Sequence, residues 1–505
     1  MKRLSHGSFP SHDGAAPAQP ADHPNGNEET RCPERSKFNY LFKELQDSPE
    51  NLLSDVHEKT GARMAETLID LGKSMHPEPE EVLPANPAFD SDIPSVYTYF
   101  GQFITHEVVF ERSSNKRKLG GDTDPLPVQE IKDLTNGRTA LLDLDSIYGP
   151  ILQDDDQCFR VPRVNEDKEM DLGFAIGCPA GSDLKRQRKD PLYTAIIGDG
   201  RNDANRITSQ MHLAFLQAHN KFIERDALSF EEAQRSLRQH FQWLVIYDYL
   251  PMVVDNAVLK SVLDGELNIF SPAKDEPFVP LEFSAGAFRF GHSMTRNRYN
   301  YNHNYDQQRL TDFFLPHKSG YYPPFSKAWI IDWKRFLPGG QNLARRINTR
   351  LAHPLFDRLI DDKGERLVGT DGNVISLAAL DLLRGYSLRL PTGQSVAKAL
   401  KINPISAADI ESIAGQVNPR QAEILHDSGL SSRTPLWFYV LAEAAALEDG
   451  LRLGPVGSSI VASVLVGLVR CSSDSILREP QLSNWKPSIG DGHFGMAELF
   501  KFAES

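Results

Sequence analysis

The sequence predicts a mainly α-helical domain, and three observations predict it. Apolar residues recur at helical spacing along most of the chain, as where Met211, Phe215, Ala218 and Phe222 fall on one face of the segment 208–225. Helix-start chemistry precedes several of these segments: Ser229 with Glu232 has the spacing of a capping box, and Thr434 followed by Pro435 reads as a cap and first-turn pair. Alternating runs are scarce and short, the clearest being Phe278 to Phe283. Few strands are therefore expected, and long ordered loops should join the helices.

Taken in order, residues 1 to about 36 are rich in Pro, Gly, Ser, Asp and His, with too few large apolar groups to offset the entropy of ordering. They read as a mobile tail, with the domain occupying 41–505 and the tail 1–40. His76 to Pro87 carries four prolines and is expected to be an exposed loop. Tyr99 to Phe110 suits a helix that places Gln102 and His106, four residues apart, on one face. The helix of 208–225 comes next, and the one after Ser229 is expected to run to Tyr249 and stop at Pro251. Leu436 begins the last clearly marked helix, LWFYVLAEAAAL.

The 505 residues would suggest roughly three domains on a length prior alone, and they can bury a large core. A balance of 55 basic against 68 acidic residues, net −13, argues against a nucleic-acid partner, whose phosphates draw on basic surface. The longest apolar run, Ile460 to Val469, is far short of a membrane span. The N-terminus has a basic start but no apolar stretch behind it, so no Sec signal is expected and the protein should be cytoplasmic or exported by another route. Cys32, Cys158, Cys178 and Cys471 form no CxxC pair and suggest a reducing compartment. Nothing in the sequence fixes an oligomeric state.

Nucleotide-binding glycine loops, HExxH and GxSxG are all absent. What remains are polar groups in apolar settings: Gln102 and His106, the Phe288-Arg-Phe-Gly-His292 segment, and Arg201 in a Gly-rich turn ahead of the 208–225 helix. Any one of them alone reads as a satisfied core histidine or a surface arginine. Their order and separation change that reading. GQFxxH (Gly101 to His106), LDLDSIYG (Leu142 to Gly149), GDxR (Gly198 to Arg201), MHxxFxxxHN (Met211 to Asn220), FRFGH (Phe288 to His292), DLLRG (Asp381 to Gly385) and PLWFYVLAEA (Pro435 to Ala444) together resemble the animal-type haem peroxidase superfamily over roughly Ser95 to Phe502.

The resemblance implies a single large helical domain around a buried haem b and an enzyme that reduces hydrogen peroxide while oxidising small donors through high-valent iron. Phenols, aromatic amines, iodide, bromide and thiocyanate are the expected donors, with chloride a poor one. Position by position, His292 would be the proximal iron ligand and His106 the distal acid/base. Arg201 would stabilise the departing oxygen, and Gln102 would hold peroxide or a small anion. Asp381 falls where many members have an asparagine behind the ligand; a carboxylate there would pull His292 toward imidazolate and lower the reduction potential. Arg289 and Arg384 match residues that pair with haem propionates. His212 and His219, seven residues apart, keep a structural reading on a packing helix.

The family's calcium loop would be formed by Thr139, Leu141, Asp143 and Asp145, a hydroxyl, a carbonyl and two carboxylates of the hard-oxygen kind calcium favours. Glu107, directly after the distal histidine, would complete it in place of the usual aspartate. The positions that esterify haem in other members are Thr105 and Ala204, neither a carboxylate, so haem should be non-covalent unless Asp203, one residue off, forms a bond.

Two other readings remain open. Fatty-acid dioxygenases and cyclooxygenases of the superfamily use a tyrosine three residues before the proximal histidine, which here is Arg289. A helical scaffold that has lost its cofactor is the other reading, opposed by the joint presence of His106, Arg201 and His292.

Overall fold

The computed structural model describes residues 36–54, 63–76, 87–111, 124–149, 183–184, 186–189, 192–273, 276–312, 327–357, 376–477, 485–490 and 492–505. Helices dominate, as the periodicity predicts, and the described buried apolar residues form one continuous core. The main helices are α1 (Met64–Ser74), α2 (Val96–Val108), α3 (Arg206–Asp226), α4 (Phe230–Trp243), α5 (Leu377–Ser387), α6 (Leu436–Glu448), α7 (Pro455–Cys471) and α8 (Met496–Glu504). Strands are short: β1 (Ser36–Asn39), β2 (Asp90–Pro94), β3 (Thr135–Asn136), β4 (Phe278–Pro280) and β5 (Leu343–Arg345) are the ones that frame the site.

The domain begins earlier than expected. β1 is the middle strand of a three-stranded sheet, antiparallel to β3 and parallel to β4, with Ser36 opposite Asn136 and Lys37 opposite Phe278. Phe38 and Tyr40 are buried there, so residues 36–40, given to the tail by the sequence reading, already belong to the packed fold; residues 1–35 fall outside the described part. Of the expected loop, residues 77–86 also fall outside it.

α2 enters the core with its first amide groups satisfied from another part of the chain, Ser95 N–H on Asn342 O (3.0 Å) and Val96 N–H on Phe336 O (3.1 Å). Phe103 stacks on Phe215 of α3 with ring centroids 4.9 Å apart, fixing α2 against that helix. α3 is longer than the predicted 208–225. Asn205 caps it by accepting the Ile207 and Thr208 N–H groups. α1 lies so close to α5 that a Cβ on Gly72 would overlap the Ala379 backbone, so only glycine permits this crossing.

Three boundaries differ from the sequence reading, each for a local reason. The capping box of Ser229 and Glu232 forms as predicted, but the helix does not stop at Pro251: a π-helical turn over Leu244–Tyr249 leads into a short helix, Leu250–Val253. Pro251 sits in its first turn, where a missing N–H costs little. Phe278 to Phe283 is strand only to Pro280 and then turns helical over Leu281–Ser284. Thr434 does not cap α6, because its hydroxyl donates to Leu430 O instead (2.8 Å).

α6 is buried on every side from Leu436 to Ala444, as its lack of a polar face requires. Glu443, buried within it, accepts the Val456 and Gly457 N–H groups and so caps the start of α7. Among the described residues no helix is long and apolar enough to cross a membrane. Cys471 forms no disulfide among the described residues, its thiol donating to Pro272 O (3.6 Å); the other three cysteines lie outside the described residues.

Candidate active site

α2 faces the short 3-10 turn Ala287–His292 across a cleft of about 560 Å3, open solvent at its mouth included. Gln102, Thr105 and Val109 line one wall; Phe288, Arg289, Gly291 and His292 line the other. The FRFGH segment reaches this position because the turn is held between α2, α6 and α7.

His292 projects into the cleft with its side chain 12 % exposed, and its Nδ1 lies 2.6 Å from Asp381 Oδ2. Asp381, on α5 and fully buried, accepts that proton and also pairs with the Arg289 guanidinium. Although burial opposes ionisation, His292 and Arg289 hold the Asp381 carboxyl below its ordinary range. With Nδ1 engaged by Asp381, Nε2 is the ring nitrogen left to serve as a ligand. A carboxylate thus lies behind His292, and Arg289 shares its charge, so its pull on the imidazole is tempered.

Arg289 lines the cleft, and its Nε donates to Ser284 O (3.1 Å). Arg384 does not line the cleft and pairs with Glu111. Both arginines therefore have carboxylate partners from the chain itself, where propionates were expected.

Behind the opposite wall, His106 is completely buried, with Nδ1 2.8 Å from Asn202 Oδ1. Asn202 Nδ2 in turn lies 3.0 Å from His212 Nδ1. The amide oxygen accepts the His106 Nδ1 proton, which leaves His106 Nε2 as the basic nitrogen. Burial pushes His212 down to about 3, so it is neutral and able to accept from the amide. His106 and Arg201 sit behind the cleft wall rather than in its lining.

Arg201 is placed by the 3-10 turn Gly200–Asp203, just ahead of α3. Its Nη2 donates to His106 O (3.0 Å) and to Asp199 Oδ2 (2.6 Å), and its guanidinium lies 4.7 Å over the Phe110 ring. Asp199 also binds Arg138; although burial opposes it, Arg201 and Arg138 hold Asp199 far below the usual carboxylate range. The sequence reading missed Asn202, Asp199 and Arg138. Asp199 was visible as the acid of GDxR, whereas nothing local marks Asn202 as a partner for a histidine 96 residues away.

The lining carries groups that an iron porphyrin could use. His292 offers a ligand nitrogen on one side. The buried Gln102 Nε2 and Ser284 Oγ, both on lining residues, have no partner among the described residues. Gln102 Oε1 accepts from Asn205 Nδ2 (3.3 Å), so the amide's free donor is the one left toward the cleft side.

The loop of residues 139–145 closes against Glu107. Glu107 Oε1 and Oε2 accept the N–H groups of Asp145 and of Ser146 (2.8 Å for the latter), and Thr139 Oγ1 donates to Asp143 Oδ1 (3.0 Å). Asp145 pairs with Arg138 (3.4 Å), and the Asp143 carbonyl accepts from Arg238 Nε (2.7 Å). Ala140 and Leu144 both have left-handed backbone, φ 56° and 61°, which folds the loop back on itself. Among the described residues no three acidic, imidazole or thiol side chains form a ready metal cage. Burial, with Asp143 and Asp145 nearby, pushes the Glu107 carboxyl up to about 8; burial and Asp145 raise Asp143 to about 6. Each carboxylate oxygen that accepts one N–H keeps a second lone pair, so the hard-oxygen set fits a dication that would relieve this crowding.

Residues 77–464 match the animal haem peroxidase family. The chain belongs to this family. Heme peroxidase 2 of Caenorhabditis elegans is 25% identical over 365 residues, covering 60% of this chain and 49% of the relative. Peroxidasin homolog pxn-2 of the same animal is 24% identical over 416 residues, covering 75% of this chain and 29% of the relative. The chain thus spans about half or less of the length of these curated relatives. Among solved structures, Peroxidase A from Dictyostelium discoideum superposes with a TM-score of 0.58 at 15% identity over 98% of this chain and 97% of the other. A fatty acid alpha-dioxygenase of Arabidopsis thaliana superposes at 0.51, with 14% identity over 86% and 73% of the two chains.

The structure describes the three residues that the sequence reading set against the ester positions. Thr105 lines the cleft with its hydroxyl on Gly101 O (2.9 Å), Ala204 has no reactive group, and Asp203 is buried at the end of the turn that holds Arg201. Arg289, expected from the sequence to stand at the dioxygenase tyrosine position, is bound to Asp381.

Proposed function

We propose that this family member is a haem peroxidase that reduces hydrogen peroxide and oxidises small donors: phenols, aromatic amines, iodide, and bromide or thiocyanate. The observation that carries this is the pairing of opposites across one cleft, a histidine locked to a buried carboxylate on one side and, on the other, an amide donor with no partner among the described residues, backed by His106 on Asn202.

Haem, when bound at His292, supplies the redox-active iron that takes up the oxidising equivalents of peroxide. Asp381 fixes the His292 ring and keeps its ligand nitrogen free. Gln102 Nε2 donates to peroxide or to a small anion near the cleft wall. His106 Nε2 takes the proton from the inner peroxide oxygen and returns it to the outer one, while Asn202 holds the tautomer that makes this possible. Arg201 fixes the His106 backbone and adds positive field where negative charge develops, an effect that low dielectric strengthens.

Non-covalent haem b follows from Thr105 and Ala204, which offer no carboxylate for an ester. Calcium at Glu107, Thr139, Leu141, Asp143 and Asp145 would tie the loop to the residue next to His106, so chelation should loosen the distal side. The test is an absorption spectrum of the haem-reconstituted protein, followed by peroxide and a phenolic donor. His292→Ala should abolish the Soret band of retained haem. His106→Ala should keep it and slow the peroxide step about 10²–10⁴-fold, the usual worth of a positioned acid/base. A wild-type protein that binds no haem would overturn the reading.

A further inference from the structure

Three consecutive residues of the π-helical turn pass from surface to cleft: Tyr247 is 44% exposed, Asp248 is half-buried, and Tyr249 is 2% exposed and lines the cleft. The turn itself creates this arrangement, since an extra residue per turn rotates the side chains out of α-helical register, a device common at functional sites. Tyr249 comes to rest over Gly101, where an added Cβ would stand 2.6 Å from its hydroxyl, so the glycine beside Gln102 makes room for the phenol.

Tyr249 has a second tyrosine as neighbour. Tyr97, on α2, has its ring centroid 6.5 Å from that of Tyr249, and its hydroxyl donates to Asp248 Oδ1 at 2.9 Å. Asp248 Oδ2 accepts the Met496 N–H (3.0 Å), which fixes the carboxylate in place. The three groups make a short line: a cleft-lining ring, a buried phenol, and a carboxylate that reaches the surface side. A phenol gives up an electron readily only if its proton has somewhere to go. Here Tyr97 has such an acceptor, and Tyr249 has none among the described bonds.

We propose that Tyr97 is a redox-active side chain, with Asp248 as its proton acceptor and the Tyr249 ring as its bridge to the cleft, and that it serves phenolic or aromatic-amine donors too bulky to enter once haem fills the cleft. This rests on the peroxidase reading, because peroxide supplies the oxidant. In each one-electron step Tyr97 loses an electron across Tyr249 to the peroxide-oxidised centre in the cleft, and its phenolic proton moves to Asp248 Oδ1. A donor at the Asp248 edge then gives an electron to the Tyr97 radical, Asp248 returns the proton to the phenol, and the donor's own proton goes to solvent. Two such steps, with two protons, reduce one peroxide to two waters. Burial raises the Asp248 carboxyl, which favours its taking a proton; the hydrogen bonds it accepts from Met496 N–H and the Tyr97 hydroxyl, and then His493, oppose this, and Glu498 adds a little to the rise.

The test is freeze-quench electron paramagnetic resonance on the haem-reconstituted protein after peroxide, with and without ring-deuterated tyrosine. A tyrosyl signal that narrows on deuteration is expected. It should vanish in Tyr97→Phe, persist in Tyr249→Phe, which keeps the bridging ring, and fall about tenfold or more in Tyr249→Leu. Oxidation of a phenol coupled to dextran should fall about tenfold in Tyr97→Phe while iodide oxidation stays within about twofold. A tyrosyl signal unchanged in Tyr97→Phe, or peroxide turnover with no tyrosyl signal in the wild type, overturns the relay alone. Absence of peroxide turnover overturns the peroxidase reading beneath it.

Discussion

The two histidines on opposite sides of the cleft, His292 in its lining and His106 buried behind the other wall, differ in what holds them. His292 is hydrogen-bonded through Nδ1 to a buried carboxylate, Asp381, and His106 through the same atom to a neutral amide, Asn202. A carboxylate draws the Nδ1 proton toward itself and enriches the far nitrogen, which suits a permanent ligand. An amide fixes the same tautomer without stabilising imidazolium, which suits a group that must take up a proton and release it. One ring in one geometry is thus turned to two tasks by the charge of its partner.

Breaking the charged side should have the largest effect. Asp381→Ala leaves the Arg289 guanidinium without its buried partner and frees the His292 ring. Haem affinity should fall about 10–100-fold by loss of the outer partner, and removing one member of a buried pair should cost about 3–5 kcal/mol of stability. Titration of apoprotein with haem, alongside thermal unfolding, checks both. Asp381→Asn is the sharper variant, because it keeps an acceptor on Nδ1 and removes only the charge. Its haem should be retained while the ferric/ferrous midpoint rises, as spectroelectrochemistry would read. An unchanged midpoint would mean that Arg289 already neutralises Asp381.

The reverse exchange tests the neutral side. Asn202→Asp places a carboxylate behind His106, stabilises its imidazolium, and should move the acidic limb of the peroxide-step pH profile to higher pH by about one unit, the shift a nearby opposite charge typically gives at minimum. Stopped-flow rates of peroxide reaction against pH would show this. An unshifted limb would mean that His106 does not titrate in that step.

How much of this was legible in the sequence depended on distance along the chain. Gln102 and His106 share a face because four-residue spacing dictates it, and α2 bears that out. The capping box at Ser229 is equally local. The pairing of His292 with Asp381 spans 89 residues and was available only through the family resemblance. Asn202 gave no signal of its own, since an asparagine in a glycine-rich turn is an ordinary turn former and its partner histidines lie on two other elements. The π-helical turn was hidden because Pro251 looks like a terminator until a register shift moves it into a first turn. β1 was assigned to the tail for a similar reason: four residues have no pattern of their own, and their order comes from β3 and β4.

The smallest expected effect concerns the scaffold of the charged side. Glu282 lies in the short helix packed on the His292 turn, and Glu443 lies in α6, which packs on the same turn. Burial raises both carboxyls to about 7, against the partial relief of the backbone N–H groups each accepts. In this range the folded state binds more protons than the unfolded chain, whose glutamates titrate near 4.3. Their stabilising contribution is therefore fully present below the unfolded value and is lost as pH rises through about 7. The thermal midpoint should decline by a few degrees between mildly acidic and mildly basic pH. Glu443→Gln, which mimics the protonated form, should flatten part of that decline and leave the acid side unchanged, as scanning calorimetry at several pH values would show. An identical slope in wild type and variant would mean that Glu443 is ionised throughout, held by the α7 amide groups alone, and that the proximal scaffold is as indifferent to pH as the amide behind His106.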